Sequence, residues 1–427
     1  MTLRGSKPKV ALAGGGTGGH VVPALALADA FVAAGSEVVF IGTEHGYEAT
    51  MVPKRGYRIE LVAGSRLVGG GLLAKIKGIV NLIKGVLAAR AILQHEQVDL
   101  VLGVGGYASG AALLAAKTLG LPTGVHESNA VPGLTNQVLS RLVNRVYLGF
   151  AAAQSAFPQA VARLTGNPVR YEIAAVGPQR QHRGDRPARV LVIGGSQGSQ
   201  FLNERVPALL QAVAGQGIAL QVRHQVGKLD PTPVQIAYAA KDLPATVEGF
   251  IHDMAAAYAW ADVAITRSGS GTVAELAAAA LPALLVPFPH AARDHQAANA
   301  AALCATGGGR WVRQNDWHQA DLAKWLGELL SQTSQWTAAS QAALKFALPD
   351  AAAAVVRDCG QWLHVEQWMK FGQGLQVGQG LQVEQGLQVG QGLQVGQGLQ
   401  VGQGLQVGQG LQVGQGLQVG QGLQVGQ

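Results

Sequence analysis

The sequence predicts an α/β protein made of two Rossmann-like, doubly wound parallel sheets facing a cleft. Three observations carry this. Short apolar runs alternate with helical stretches, the pattern of strands buried on both faces and covered by helices. The pattern restarts once, near Arg189. Each half opens with the same unit of strand, glycine turn and helix.

In the first half, Val10 to Ala13 reads as a buried strand, followed by the turn Gly14–His20 and an alanine-rich helix over Pro23 to Ala34. Glu37 to Ile41 is the next strand. Val98 to Leu102 is another and runs into Gly103-Val-Gly-Gly-Tyr107, with a helix near Gly110 to Leu119 and a strand over Thr123 to His126. Pro168 breaks regular structure within Gly166-Asn-Pro-Val-Arg170, the expected hinge. In the second half Arg189 to Ile193 is a strand, Gly194 to Ser199 a glycine turn and Asn203 to Ala214 a helix. Ala219 to Gln225, Ala245 to Gly249, Val263 to Thr266 and Ala283 to Val286 complete the strands.

Residues 374–427 are nine copies of Gly-Leu-Gln-Val-Gly-Gln with Glu384 the one departure. Leu and Val two apart share one face of a strand, so nine stacked solenoid rungs are one reading. The other is low-complexity sequence with too little apolar bulk to fold alone, and this is the expectation adopted. Either way the tail offers no catalytic group, and its low charge makes it an aggregation risk.

Composition narrows the partners. The 427 residues exceed one ordinary core and suit two domains. The net charge of +7 fits a phosphate-bearing or anionic partner. Aromatics are few and no Arg/Lys block alternates with them, which argues against nucleic acid. Cys304 and Cys359 lie outside any Cys/His cluster, so a reduced compartment and no metal site are expected. The basic N-terminus leads into an apolar run that stops at Gly14 and reads as a first strand rather than a signal peptide. Pro282 and Pro287 interrupt the most apolar stretch, so no membrane span is expected.

Several constellations carry chemistry. Gly14-Gly-Gly-Thr-Gly-Gly-His20 matches GxGxxG between strand and helix, where glycines let the backbone approach a ligand and the helix start offers N–H donors to an anion. A dinucleotide site would want an acid near the end of the second strand, and Glu44 is placed roughly there. His20 begins a helix at the carboxyl edge of the sheet, and can either take a proton from an acceptor hydroxyl or make a structural hydrogen bond. Ser196, in the second glycine turn, can donate to phosphate. The segment Thr266-Arg-Ser-Gly-Ser-Gly-Thr-Val-Ala-Glu275 offers a small-residue loop at a helix start for a diphosphate. Glu275, one turn inside, can accept both ribose hydroxyls or close a capping box with Thr272. His290 and His295 are five apart, a poor zinc pair, and their segment, which ends at Gln296, is a candidate for binding sugar hydroxyls. Along Leu72 to Leu93, Leu72, Ile76, Ile79, Val80, Ile83, Val86 and Leu87 share one arc, bordered by Lys75, Lys77 and Lys84. That stripe suits an anionic membrane interface or the underside of an ordinary amphipathic helix.

Together, Gly14–His20, Gly103–Tyr107, His126-Glu-Ser-Asn129, Gly166–Arg170, Gly194–Gly198, Asp253 to Asp262 and Ser268–Glu275 resemble, in order, the MurG family of bacterial cell-wall glycosyltransferases, over roughly residues 8 to 365. The resemblance implies the GT-B fold and inverting transfer of N-acetylglucosamine (GlcNAc) from UDP-GlcNAc to the 4-hydroxyl of the MurNAc sugar of lipid I, giving lipid II and UDP. It implies no cofactor and no metal, with Arg170 and helix dipoles stabilising departing UDP. The implied UDP-GlcNAc contacts are Thr17, Gly18, Gly19, Asn129, Arg170, Ser196, Ile251 through its backbone, Ser270, Gly271, Thr272, Val273, Ala274, Glu275 and Gln296. His20 is the expected base, with Glu127 the alternative. Tyr107, Lys75, Ile76, Ile79 and Lys84 are assigned to the acceptor or membrane side. The family works peripherally on the cytoplasmic face of the inner membrane, which favours an anionic membrane surface as a partner of the Leu72–Leu93 helix.

The expected domains are 1–166 for acceptor and membrane, 167–345 for UDP-GlcNAc, 346–371 as a helix returning to the first domain, and the 372–427 repeat tail. Ser128 stands where the family often has Gln. The rivals are a nucleotide-sugar-binding protein with a dead site, and an NAD(P)-linked oxidoreductase, which needs one nucleotide turn rather than three.

Overall fold

The computed structural model describes residues 7–16, 18–44, 46–62, 72–195 and 197–372, together with strand segments of the tail between 381 and 425. Residues 1–368 form one compact unit and 369–427 a second.

The first half carries β1 (Lys9–Ala13), α1 (Gly18–Ala33), β2 (Glu37–Thr43), α2 (Glu48–Lys54), β3 (Arg58–Val62), α3 (Leu72–His95), β4 (Leu100–Gly103), α4 (Tyr107–Thr118), β5 (Thr123–Glu127), α5 (Leu134–Leu139), β6 (Arg145–Leu148) and β7 (Ala162–Leu164). Its strands pair in parallel in the order β3-β2-β1-β4-β5-β6-β7. The second half, after α6 (Tyr171–Ala174), carries β8 (Ala188–Ile193), α7 (Gln200–Ala214), β9 (Leu220–Gln225), α8 (Thr232–Ala239), β10 (Ala245–Glu248), α9 (Met254–Trp260), β11 (Val263–Thr266), α10 (Ser270–Ala278), β12 (Ala283–Leu285), α11 (His295–Cys304) and β13 (Gly309–Trp311). These strands, also parallel, run β10-β9-β8-β11-β12-β13.

Both orders reverse direction beside the first strand of the half. The switch points fall at β1/β4 and at β8/β11, where the crevice beyond the carboxyl ends of the strands is open to a ligand. Each is edged by glycine-bearing turns: Gly14–Gly16 and Gly103–Gly106 in one sheet, Gly194–Gly198 and Ser268–Gly271 in the other.

The central strands are fully buried apolar runs, as with Val190, Leu191, Val192 and Ile193 in β8. The half-exposed β3 and β10 lie at the edges. Two boundaries differ from expectation. The first helix begins at Gly18, five residues before Pro23, because a proline at the sixth position forfeits a single main-chain bond. The helix after β4 begins at Tyr107 rather than near Gly110, because glycines with φ of +106° and +84° at Gly105 and Gly106 complete the turn first.

After α12 (Gln319–Ser331) and α13 (Thr333–Phe346), the chain enters α14 (Ala351–Leu363), which packs on α1. Asp358 accepts from Arg145 Nε at 3.1 Å and from Tyr147 Oη at 2.9 Å. The fully buried Trp368 meets the Phe31 ring edge-on at 5.1 Å and donates to Ser36 Oγ at 2.7 Å. The two segments passing between the halves touch: a Cβ at Gly166 would lie 2.5 Å from Leu348 Cβ. One core cluster joins Ala130 and Phe150 of the first half to Val169, Ile173 and α10 of the second.

In the tail, strands pair in parallel with partners 18 residues apart, as in Leu381 with Leu399, Leu387 with Leu405 and Leu399 with Leu417. Among the described segments the strand register therefore repeats every three hexapeptides.

Candidate active site

The first glycine turn forms around a protein carboxylate. Glu48, on α2, accepts the Gly16 N–H at 2.7 Å, and both the N–H and the hydroxyl of Thr43 at 2.9 Å. Gly14 N–H donates to Ile41 O at 3.0 Å and Gly15 N–H to Gly105 O at 3.2 Å. Glu44, the acid weighed for a dinucleotide ribose, is exposed. The amides of Gly14 to Gly16 are thus internally committed.

His20 lies in the first turn of α1 and its Nδ1 is buried without a hydrogen-bond partner among the described residues. Burial pushes its pKa below the ordinary imidazole value, against the field of Glu127 and the Val104 backbone. The imidazole is therefore neutral at physiological pH and able to take a proton.

Beyond β5, Glu127 organises a loop. Its carboxylate accepts from the Asn129 N–H at 2.9 Å, the Gly133 N–H at 3.0 Å and Asn136 Nδ2 at 2.8 Å. Ser128 is buried, its hydroxyl 3.2 Å from His126 Nδ1. Asn129 does face the other half: its Oδ1 accepts from Asn299 Nδ2 at 3.2 Å. Arg293 adds a second link, donating to Pro132 O at 2.8 Å.

In the second half α10 begins at Ser270 with Gly269 as its N-cap, and α1 packs against it. Glu275 does not close a capping box with Thr272. Its carboxylate accepts the Tyr258 hydroxyl at 2.9 Å and Arg170 Nη2 at 3.5 Å, across α9 and the start of α6. Burial raises its pKa, with Arg170 and Tyr258 acting in the opposite sense. Arg170 Nε is buried without a partner among the described residues. Val273 is wholly buried, so only its backbone can meet a ligand. The Ile251 N–H is taken by Gln225 Oε1 at 3.0 Å, which leaves its carbonyl. Gln296 Oε1 accepts the Phe288 N–H at 2.9 Å, and its carbonyl accepts the Ser268 hydroxyl at 2.8 Å. His290 is exposed, and among the described residues no three His, Cys, Asp or Glu side chains converge as a metal site. Thr17 and Ser196 lie outside the described residues, as do the side chains of Gly18, Lys75, Ile76 and Ile79. Gly19 is exposed in the first turn of α1.

On α3, Val80, Ile83, Lys84 and Leu87 are exposed, while Ala89 and Leu93 face the core. The described part of the apolar arc therefore does not form the underside of the helix, apart from the half-buried Val86. Tyr107 packs beneath α3, where a Cβ at Gly85 would lie 3.2 Å from its hydroxyl. Among the described residues no helix is long and apolar enough to cross a membrane. Sequence reasoning missed Glu48, Gln225 and Asn299, which belong to no local motif, while Arg293 lies within the His290–Gln296 segment it singled out.

The glycosyltransferase family 28 N-terminal domain matches residues 10–148 and the family 28 C-terminal domain residues 189–355. The UDP-N-acetylglucosamine–N-acetylmuramyl-(pentapeptide) pyrophosphoryl-undecaprenol N-acetylglucosamine transferase of Magnetococcus marinus is 43% identical over 348 residues, covering 80% of this chain and 94% of the relative. The protein of the same name from Methylococcus capsulatus is 44% identical over 352 residues, covering 82% and 98%. The crystal structure of Acinetobacter baumannii MurG matches with a TM-score of 0.68 at 32% identity, covering 82% of this chain and 98% of that one. The two facing doubly wound sheets are the GT-B arrangement expected from the sequence. The chain belongs to glycosyltransferase family 28 and, within it, to the MurG family of UDP-N-acetylglucosamine–N-acetylmuramyl-(pentapeptide) pyrophosphoryl-undecaprenol N-acetylglucosamine transferases.

Proposed function

We propose that the chain transfers GlcNAc from UDP-GlcNAc to the MurNAc 4-hydroxyl of lipid I, releasing UDP and lipid II for peptidoglycan. The observation that supports this best is the meeting of α1, which carries His20, with α10, which carries the small-residue helix start and Glu275. His20 takes the acceptor proton as the hydroxyl oxygen attacks C1. The bond from C1 to the UDP oxygen breaks, its electron pair leaves with the diphosphate, and the configuration at C1 inverts. Glu127 is the poorer base, because three well-placed donors already engage its carboxylate.

In this proposal residues 1–166 receive the acceptor and residues 167–345 hold UDP-GlcNAc, while residues 346–371 tie back to the first half. Glu275 accepts the ribose hydroxyls and the Ile251 carbonyl meets the uracil. The amides of Ser270 to Ala274, with Arg170 and Ser196, offset the charge on departing UDP. Thr17, Gly18, Gly19, Asn129 and Gln296 surround the sugar. The exposed Val80, Ile83 and Leu87 with Lys84, continued along the helix by Lys75, Ile76 and Ile79, rest on the anionic cytoplasmic face of the inner membrane.

The test is transfer of labelled GlcNAc to a short-chain lipid I analogue in the presence of EDTA, by the intact chain and by His20→Ala. Lipid II product from the former and near-total loss in a folded mutant are expected. Binding of UDP-GlcNAc without product would overturn the enzyme assignment.

A further inference from the structure

The Gly14–Gly16 turn occupies the position where a doubly wound sheet ordinarily offers amides to a ligand phosphate. Here a side chain of the protein has taken that position. Glu48 is 1% exposed, and its two oxygens collect the Gly16 N–H, the Thr43 N–H and the Thr43 hydroxyl. The surrounding glycines are cut to this carboxylate. A Cβ at Gly15 would stand 1.9 Å from its carboxyl carbon, one at Gly46 2.0 Å from Oε2 and one at Gly42 2.5 Å from Cγ.

The fixed turn bears on the catalytic side chain. Gly15 N–H is held by Gly105 O at 3.2 Å, and a Cβ at Gly106 would lie 2.6 Å from Gly15 O, so the two glycine turns pack back to back. Gly105 in turn lies against His20, where a Cβ would come within 2.6 Å of both Cε1 and Nδ1 of the imidazole.

We infer that Glu48 is a positioning residue: its carboxylate stands in for a ligand phosphate in the first glycine turn, locks that turn against Gly105, and so fixes the His20 imidazole at the acceptor hydroxyl. The inference rests on His20 being the base in the proposed reaction. The ionisable groups acting on that imidazole are Glu127 from β5, His295 at the start of α11 and Glu48 itself, and His20 in turn acts on His126 of β5.

Glu48→Gln and Glu48→Ala in the full chain test this through two independent readouts. In the transfer assay, Glu48→Gln is expected to lower kcat by about tenfold or more while KM for UDP-GlcNAc changes little, the pattern of a misplaced reacting group. Sodium formate is expected to restore part of the Glu48→Ala activity, because the three donors remain to hold a small carboxylate, and to leave the intact chain unchanged. In the second readout the His20 imidazole is titrated by NMR, its signal assigned by absence in His20→Gln. Its midpoint is expected to fall in Glu48→Gln, because a negative charge that favours the imidazolium is gone. Glu48→Asp, with the charge kept but withdrawn from Gly16, should lose kcat with a much smaller change in midpoint; it serves if the other variants fail to fold. Wild-type kcat in folded Glu48→Gln, or an unmoved His20 midpoint, overturns the inference. An intact chain that makes no product counts against the transferase reading alone, because the titration still reports on Glu48.

Discussion

Replacing Asn299 by alanine should loosen the two halves at the site itself. Asn299 is completely buried on α11 and reaches across the cleft. Its Oδ1 accepts the Ala130 N–H at 2.8 Å, and its Nδ2 donates to Asn129 Oδ1 at 3.2 Å and to Ser268 O at 3.3 Å. Alanine leaves two main-chain groups on buried residues, the Ala130 N–H and the Ser268 carbonyl, without this partner. A buried orphan costs about 1–3 kcal/mol, so the pair together should cost about 2–6 kcal/mol. That is a large share of a total stability on the order of 5–15 kcal/mol. Calorimetry should record a fall of several degrees in Tm. Hydrogen exchange at the Ala130 amide should accelerate about 30-fold if only 2 kcal/mol of local protection is lost. Because Asn129 and Ser268 both border the proposed donor site, KM for UDP-GlcNAc should rise as well. Unchanged Ala130 protection together with an unchanged Tm would refute the reasoning and show that other contacts hold the halves together.

Three further perturbations separate the roles of the remaining groups. His20 has its pKa lowered by burial, so below about 6.5 the unfolded chain takes up a proton before the folded one. Its cost is absent above that pH and grows as pH falls toward the folded pKa; His20→Gln should remove this acid loss in Tm measured from pH 5 to 8. Glu275 is shifted the other way, so the folded state keeps its proton above the usual 4.5, and stability falls as pH rises through that window. Glu275→Gln should therefore raise Tm at pH 7, lose that advantage near pH 4, and weaken UDP-GlcNAc binding by about tenfold or more in calorimetric titration. Ile83→Glu and Leu87→Glu, at positions 54% and 61% exposed, should leave Tm nearly unchanged yet reduce pelleting with anionic vesicles; undiminished pelleting would remove α3 from the membrane contact.

Legibility in the sequence followed burial for most strands, with the half-exposed β10 read and the mostly buried β6 not. The strands β1, β4, β5, β8 and β11 were readable because both faces are covered, which leaves uninterrupted apolar runs. The strands β7 and β13, three residues each, and the half-exposed β3 carry no such run. Site residues inside glycine turns were visible through their spacing. Asn299 was not, because its partner Ala130 lies 169 residues away and a buried Asn on an alanine-rich helix has no local signature. Ser128, which stands where the family often has Gln, shares the face of His126 two residues before it, and its hydroxyl lies against that imidazole. A six-residue repeat likewise hides an 18-residue strand register, which the repeat unit alone does not specify.

The two halves also show how one local pattern reaches opposite electrostatic outcomes. In the first, the turn after β1 is closed by the Glu48 carboxylate, a fixed negative charge at the switch point. In the second, the turn after β8 is engaged by a neutral side chain: Gln225, at the end of β9, donates to Gly195 O at 3.3 Å and accepts from Ile251. A like charge brought within about 4 Å of Glu48 would meet roughly 4 kcal/mol of repulsion at an intermediate dielectric, enough to decide between two otherwise similar crevices. The residues of the second turn carry no charge, α10 beside it starts without a side-chain cap, and Arg170 Nε has no partner among the described residues. On the proposed reading, this difference in charge favours an anionic nucleotide-sugar in the second half. In the same reading the first half, its Gly14–Gly16 amides already taken from within, holds the His20 imidazole in place for the acceptor hydroxyl.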